Sequence, residues 1–142
     1  MFWKKKNPED ENINFLSDRI LEIGKLYPED VLNSIEKSEK EFYLQRISYL
    51  LVSRGNIYCE RGDFQKAIPD FEKAIDIKHD CLPAFLGIAL AYGAQGNFID
   101  AKKITKRAPE TMKINGEIVC TKTNFFKESL QELPQPFKQI IK

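Results

Sequence analysis

Histidine and tryptophan each occur once in these 142 residues, methionine twice and cysteine three times. Cys59, Cys81 and Cys120 are odd in number and contain no C-x-x-C pair, so a disulfide framework is not expected and a reducing, cytoplasmic setting is. No stretch approaches the roughly 18 apolar residues that a membrane-spanning helix needs. Lys4 to Lys6 are followed by no apolar run, so neither a secretory signal nor membrane insertion is expected. Phe2 and Trp3 beside those lysines are read as a solvated terminus. No glycine-rich phosphate loop of either common pattern is written anywhere.

The scarcity of reactive groups limits catalysis. His79 is the only histidine, so a Cys–His nucleophile pair has to use it, and no local signature supports one. Cys59, His79, Cys81 and Cys120 are metal-ligand types without paired spacing. Carboxylates are plentiful but spread along exposed helix faces. No enzyme activity, metal or cofactor is expected.

The composition is otherwise that of an ordinary globular domain: 42% hydrophobic, 30% charged, formal net charge +1. The charge is unevenly placed. Residues 1–44 hold seven basic and ten acidic side chains, and residues 102–142 hold nine and four. Lys102, Lys103, Lys106 and Arg107 form a basic cluster over two turns of one helix. It raises a second reading, a nucleic-acid or ribonucleoprotein accessory factor. Few aromatics interleave with these charges, which weighs against nucleic acid, and lysines near a helix end also complement the macrodipole.

What the chain does have is a repeat. Shifted by 34 residues, "YCERGDFQKA" falls on "YGAQGNFIDA": Tyr58 on Tyr92, Gly62 on Gly96, Phe64 on Phe98, Ala67 on Ala101, with Ala74 on Ala108 beyond. Ile47, Leu50, Leu51, Ile57 and Tyr58 mark one buried helix face, and Phe64, Ala67, Ile68, Phe71, Ala74 and Ile75 mark the next. Gly62 supplies a left-handed stop between them and Asp63 a helix cap; Gly96 and Asn97 do the same in the second unit. Arg61-Gly62-Asp63 spells an adhesion tripeptide, but its counterpart Gln95-Gly96-Asn97 keeps only the turn chemistry. It is read as a turn. Pro69, past the first turn of its helix, should kink it or remove one backbone bond.

At these residues the chain resembles the tetratricopeptide repeat family, whose pattern is an apolar or aromatic residue, L-G-x-x-Y, A-x-x-x-F and a closing Pro. The first unit answers with Leu51, Arg54-Gly55, Tyr58, Ala67 and Phe71, and the second with Phe85, Ile88-Ala89, Tyr92 and Ala101. Arg54 departs from the Leu, Thr105 from the second Phe, and His79 and Lys113 from the closing prolines. The resemblance spans residues 48–113. It implies an all-α fold of antiparallel helix-turn-helix repeats, a short α-solenoid with helical caps at both ends. The expected division is 1–46 cap, 47–80 first repeat, 81–113 second repeat and 114–142 cap.

The flanks are expected to close the solenoid. Ile13, Leu16, Ile20 and Ile23 share one helix face. Pro28 opens a short helix through Val31, Leu32 and Ile35, and Ser38 to Glu41 reads as a capping box for the long helix that follows. Downstream, Asn115-Gly116 fits either a short hairpin or a plain loop. Thr123 or Asn124 is expected to cap a helix with Phe126, Leu130 and Leu133 on one face, stopped by Pro134 and Pro136 before "FKQIIK".

The resemblance also implies a function, the binding of a partner protein's peptide or helix in a concave groove lined by each unit's first helix. By register the groove positions are Tyr49, Val52, Asn56, Cys59 and Glu60, then Pro83, Leu86, Leu90, Gly93 and Ala94. One branch of the family clamps chaperone C-termini with a Lys and two Asn. Here Asn56 matches, but Val52 and Gly87 replace the others, so that clamp is absent. The expectation is a non-catalytic scaffold, adaptor or partner-masking chaperone, with a second copy of the chain among the candidate partners. Whether the strip of Tyr49, Val52, Leu86 and Leu90 is open or covered by the chain's own ends is not fixed by sequence.

Overall fold

The computed structural model describes residues 8–131. The expectations placed on Phe2, Trp3, Lys4 to Lys6, Leu133, Pro134, Pro136 and the closing "FKQIIK" lie outside them. The order is α1 (Pro8–Leu26), α2 (Glu29–Ser34), α3 (Lys37–Glu60), α4 (Phe64–Ile77), α5 (Leu82–Ala94), α6 (Phe98–Arg107), β1 (Thr111–Ile114), β2 (Glu117–Thr121) and α7 (Lys122–Leu130). The architecture is the expected all-α series of helical hairpins, α3–α4 and α5–α6, with one small β-hairpin let into its end.

Both hairpins turn in the same way. Gly62 and Gly96 sit at φ +74° and +79°, a region that costs other residues a Cβ clash. Asp63 N–H donates to Tyr58 O (2.8 Å) and Gly62 N–H to Cys59 O (2.9 Å). Asn97 N–H to Tyr92 O (2.9 Å) and Gly96 N–H to Gly93 O (3.0 Å) repeat the pair, which makes each a Schellman motif. The caps differ. Asn97 Oδ1 accepts from Asp100 N–H (3.3 Å), whereas the Asp63 carboxylate makes no cap bond and lies 3.7 Å from Lys66 Nζ. Helix α4 runs through Pro69 without a break, and the ring's missing N–H leaves one backbone bond unmade.

The repeats are joined by one side chain. Phe71 of α4 is fully buried, and its ring lies against Gly55 of α3 and Gly87 of α5. A Cβ at either glycine would stand 2.7 Å or 2.5 Å from the ring. Around it pack Ile47, Leu51 and Val52 of α3, Ala67 and Ala74 of α4, Ala84 and Ile88 of α5, and Ile23 of α1. A second cluster joins Leu82, Phe85 and Leu86 of α5 to Ala108, Met112 and Phe126.

The N-terminal cap uses the expected face, with Ile13 and Ile23 buried and Leu16 and Ile20 half-buried. The Tyr27 and Tyr43 rings pack at 4.7 Å between centroids. Arg54, the departure from the family's Leu, donates from Nε and Nη2 to both Asp70 oxygens (2.8 and 2.6 Å) and from Nη1 to Ser17 Oγ of α1 (3.0 Å). One guanidinium thereby ties α1, α3 and α4 together.

Two expected caps are displaced. Helix α3 starts at Lys37, after Glu36, with no side-chain cap, so Ser38 lies inside its first turn. Glu41, the other end of the expected box, accepts from Asn115 N–H instead (2.9 Å). Helix α7 is capped by Thr121, whose Oγ1 accepts from Asn124 N–H (3.3 Å), not by Thr123 or Asn124.

Asn115-Gly116 makes a hairpin rather than a loop. Both residues have positive φ, +52° and +82°, as a type I′ turn requires. The register steps from Met112↔Cys120 to Lys113↔Ile118, so Val119 is an extra, bulged residue. Lys113 is held by side chains from the α4–α5 link. Its N–H donates to Asp80 Oδ2 (2.7 Å) and its carbonyl accepts from Lys78 Nζ (2.8 Å), while Lys78 and Asp80 pair at 3.0 Å.

Substitutions at three glycines test this packing. At Gly55 and Gly87, alanine overpacks Phe71 at a cost of about 1–3 kcal/mol, more than its helix-propensity gain of roughly 1 kcal/mol. At Gly24 of α1 nothing lies within 4 Å of an added Cβ, so only the gain remains. Urea unfolding should show Gly55→Ala and Gly87→Ala less stable than wild type and Gly24→Ala more stable. Arg54→Met strands the Asp70 carboxylate, whose side chain is 9% exposed against 21% for Arg54. The loss is expected near 3 kcal/mol, largely recovered by adding Asp70→Leu and read as a shift in midpoint at constant slope.

Candidate functional site

Helix α3 is 24 residues long, about 36 Å at 1.5 Å per residue. Its inner face enters the core through Ile47, Ser48, Leu51, Val52 and Gly55. The outward face carries Phe42 and Tyr49, 65% and 67% exposed, with Asn56 another seven residues on. Seven residues are close to two helical turns, so these three lie in one line. Arg46 and Glu60 are exposed beside them. Two large exposed aromatics on one helix face have the composition of an interface anchor, since ring area is presented at small entropic cost.

The sequence-selected groove residues fall into three groups. Tyr49, Asn56, Glu60 and Ala94 are open; Cys59, Pro83 and Leu90 are half-buried; Val52, Leu86 and Gly93 are buried. Leu86 packs in the cluster with Met112 and Phe126, and Leu90 and Phe125 lie against it. On the α5 side Leu86 is thus covered by the hairpin and α7, while on the α3 side Val52 is buried in the core and Tyr49 faces outward. Phe42 was missed because it precedes the repeat. Its seven-residue spacing from Tyr49 is the signal that finds it.

The basic cluster is less concentrated than the sequence suggests. Lys102 is half-buried, and Lys103 lies 3.9 Å from Asp100. Arg107 shares a cleft of about 320 Å³ with Glu72 and Asp76, beside Tyr92 and an apolar floor of Ile75, Phe85, Ile88 and Ile104. Carboxylates therefore face the end of the cluster that a phosphate would need.

The thiols are held in their unreactive form. Burial, with the charge of Glu60 behind it, pushes Cys59 up to about 11. Burial also raises Cys81 and Cys120. The thiolate is the nucleophile, so protonated thiols of this kind are poor ones. His79 is exposed and its Nδ1 donates to Ile75 O (3.1 Å). Among the described residues, no three His, Cys, Asp or Glu side chains cluster as metal ligands do, and no helix is long and apolar enough to cross a membrane.

Comparison with known proteins gives one match. Residues 48–81 fit the family model of the tetratricopeptide repeat; no curated protein and no solved structure matches the chain. The matched span begins at Ser48 inside α3, covers α4 and ends at Cys81. The α5–α6 hairpin beyond it reproduces the same turn. Repeats of this family are in general modules for contact between proteins and non-catalytic scaffolds. The 34-residue register and the paired turns agree with this match, which likens residues 48–81 to a tetratricopeptide repeat.

Proposed function

We propose that this protein is a non-catalytic interaction module of the cytoplasm, a scaffold, adaptor or partner-masking chaperone. It binds a peptide or helix of a partner protein on the outward face of α3. The observation that carries this reading is the exposed pair Phe42 and Tyr49, aligned on one helix face and left uncovered while Leu86 on the adjoining α5 is sealed. Asn56 and Glu60 continue the face with polar groups that fix orientation, and Ala94 adds a small position on the α5 side. Residues 47–80 and 81–113 serve as the two repeats, with the flanks as caps. The partner is a different protein, and a second copy of the chain is its competitor for the same surface.

Phe42 and Tyr49, seven residues apart, present two rings along one line of α3, against which the apolar anchors of a partner helix or peptide can pack. The test uses Phe42→Ser and Tyr49→Ser. Both positions are about two-thirds exposed, so each variant should melt within a few degrees of wild type. A partner identified by affinity capture and titrated against the purified chain should lose about thirtyfold in affinity with Tyr49→Ser, the loss typical of an aromatic hot spot of about 2 kcal/mol. Unchanged affinity in both variants would remove α3 as the binding face. If sedimentation shows a wild-type dimer that either serine variant dissociates, the occupant is a second copy.

A further inference from the structure

A separate cleft of about 520 Å³ opens where the start of α3 meets the α4–α5 link. None of Phe42, Tyr49 and Asn56 is in its wall. Its size is in the range of small-ligand sites. Three of its charged groups are already engaged. Glu41 accepts from Asn115 N–H, while Asp80 and Lys78 hold Lys113 and each other. Both carboxylates in the wall are therefore committed to seating the hairpin. Lys78, 9% exposed, is committed with them.

The charge balance of the wall is positive, three lysines against two carboxylates. Lys37 and Lys40 line the cleft and make no ion pair with a described residue, and Glu36 and Glu39 are not in its wall. The apolar part of the wall is Leu44 and Ile77. Two ammonium groups beside an aliphatic surface, in a wall with one positive charge in excess, are complementary to a carboxylate carried on an apolar chain. A neutral apolar guest meets only the aliphatic part of the wall, and a cationic one is opposed by the positive excess.

We propose that this cleft is a binding site for an apolar group bearing a carboxylate, held by Lys37 and Lys40 beside Leu44 and Ile77. Two sources share that chemistry, a free small acid and the acidic, apolar stretch of a polypeptide. The assignment stands independently of the α3 face.

Heteronuclear NMR on the full chain distinguishes the outcomes. The probes are octanoate, octanol and the blocked peptide acetyl-Asp-Leu-Phe-Glu-amide. Saturable shifts are expected at the amides of Lys40, Leu44 and His79 with octanoate, the peptide or both, and not with octanol. A response to octanoate alone assigns a small acid, and a response to the peptide assigns a polypeptide source. Lys37→Gln with Lys40→Gln should weaken binding at least about tenfold, the loss of one charge-assisted hydrogen bond or more. Lys37→Glu with Lys40→Glu, which suits a helix start, should abolish it and provides a second folded control. Silence with both acids overturns the proposal. So does an octanol response equal to that of octanoate, a shift pattern away from the cleft, or wild-type affinity in the double glutamine variant.

Discussion

The closeness of α3 to α5 depends on a phenyl ring lodged between two residues that have no side chain. Phe71 fills the space that Gly55 and Gly87 leave open. Dispersion contacts are small singly and large in sum, and a ring in contact with both repeats collects them from each. The same ring fixes the distance between helices, because neither glycine position accepts a carbon. Most of the buried residues in that cluster, from Ile47 to Ile88, are arranged around it. The inter-repeat spacing is therefore set by one aromatic residue rather than by the average hydrophobicity of the helices.

The two ends of the array are closed by different physics. At the first, a charged group does the joining: Arg54 reaches Asp70 of the following helix and Ser17 of the preceding one. Such a pair fixes geometry through its directional, two-pronged hydrogen bonds. At the other end the position equivalent to Phe71 is Thr105, 5% exposed, whose hydroxyl donates to Lys102 O within its own helix (2.8 Å). A threonine there cannot wedge against a further repeat. The closing apolar surface comes instead from Met112 and Phe126, which cover Leu82, Phe85 and Leu86. The open face of α3 lies between these two seals.

The helical hairpins were legible in the sequence because their determinants are local. Gly62 and Gly96 at matched positions specify the turn, and the apolar spacing that surrounds them specifies the faces. The fate of the α5 strip was not legible. Leu86 lies at a position that is outward in an isolated repeat, and what buries it is Phe126, on an element joined through a turn of ambiguous type. Glu41 misled for a similar reason. Its spacing from Ser38 is that of a cap, but the donor that engages it, Asn115 N–H, is 74 residues away. Phe42 escaped notice because family register begins after it. Short-range chemistry could be read, and partners brought together by the tertiary fold could not.

The small ribbon at residues 111–121 bears on how the molecule behaves at high concentration. A two-stranded sheet has two unpaired margins, each able to template another extended chain. Here the β1 margin at Lys113 is occupied by the Lys78–Asp80 pair, which supplies one donor and one acceptor where a third strand would. On the β2 margin Ile118 and Val119 are exposed, but the extra residue at Val119 breaks the regular ladder. Strand-to-strand growth is thus obstructed on one side by an ion pair and on the other by a bulge. The contacts that seat the hairpin double as a guard against self-association through it.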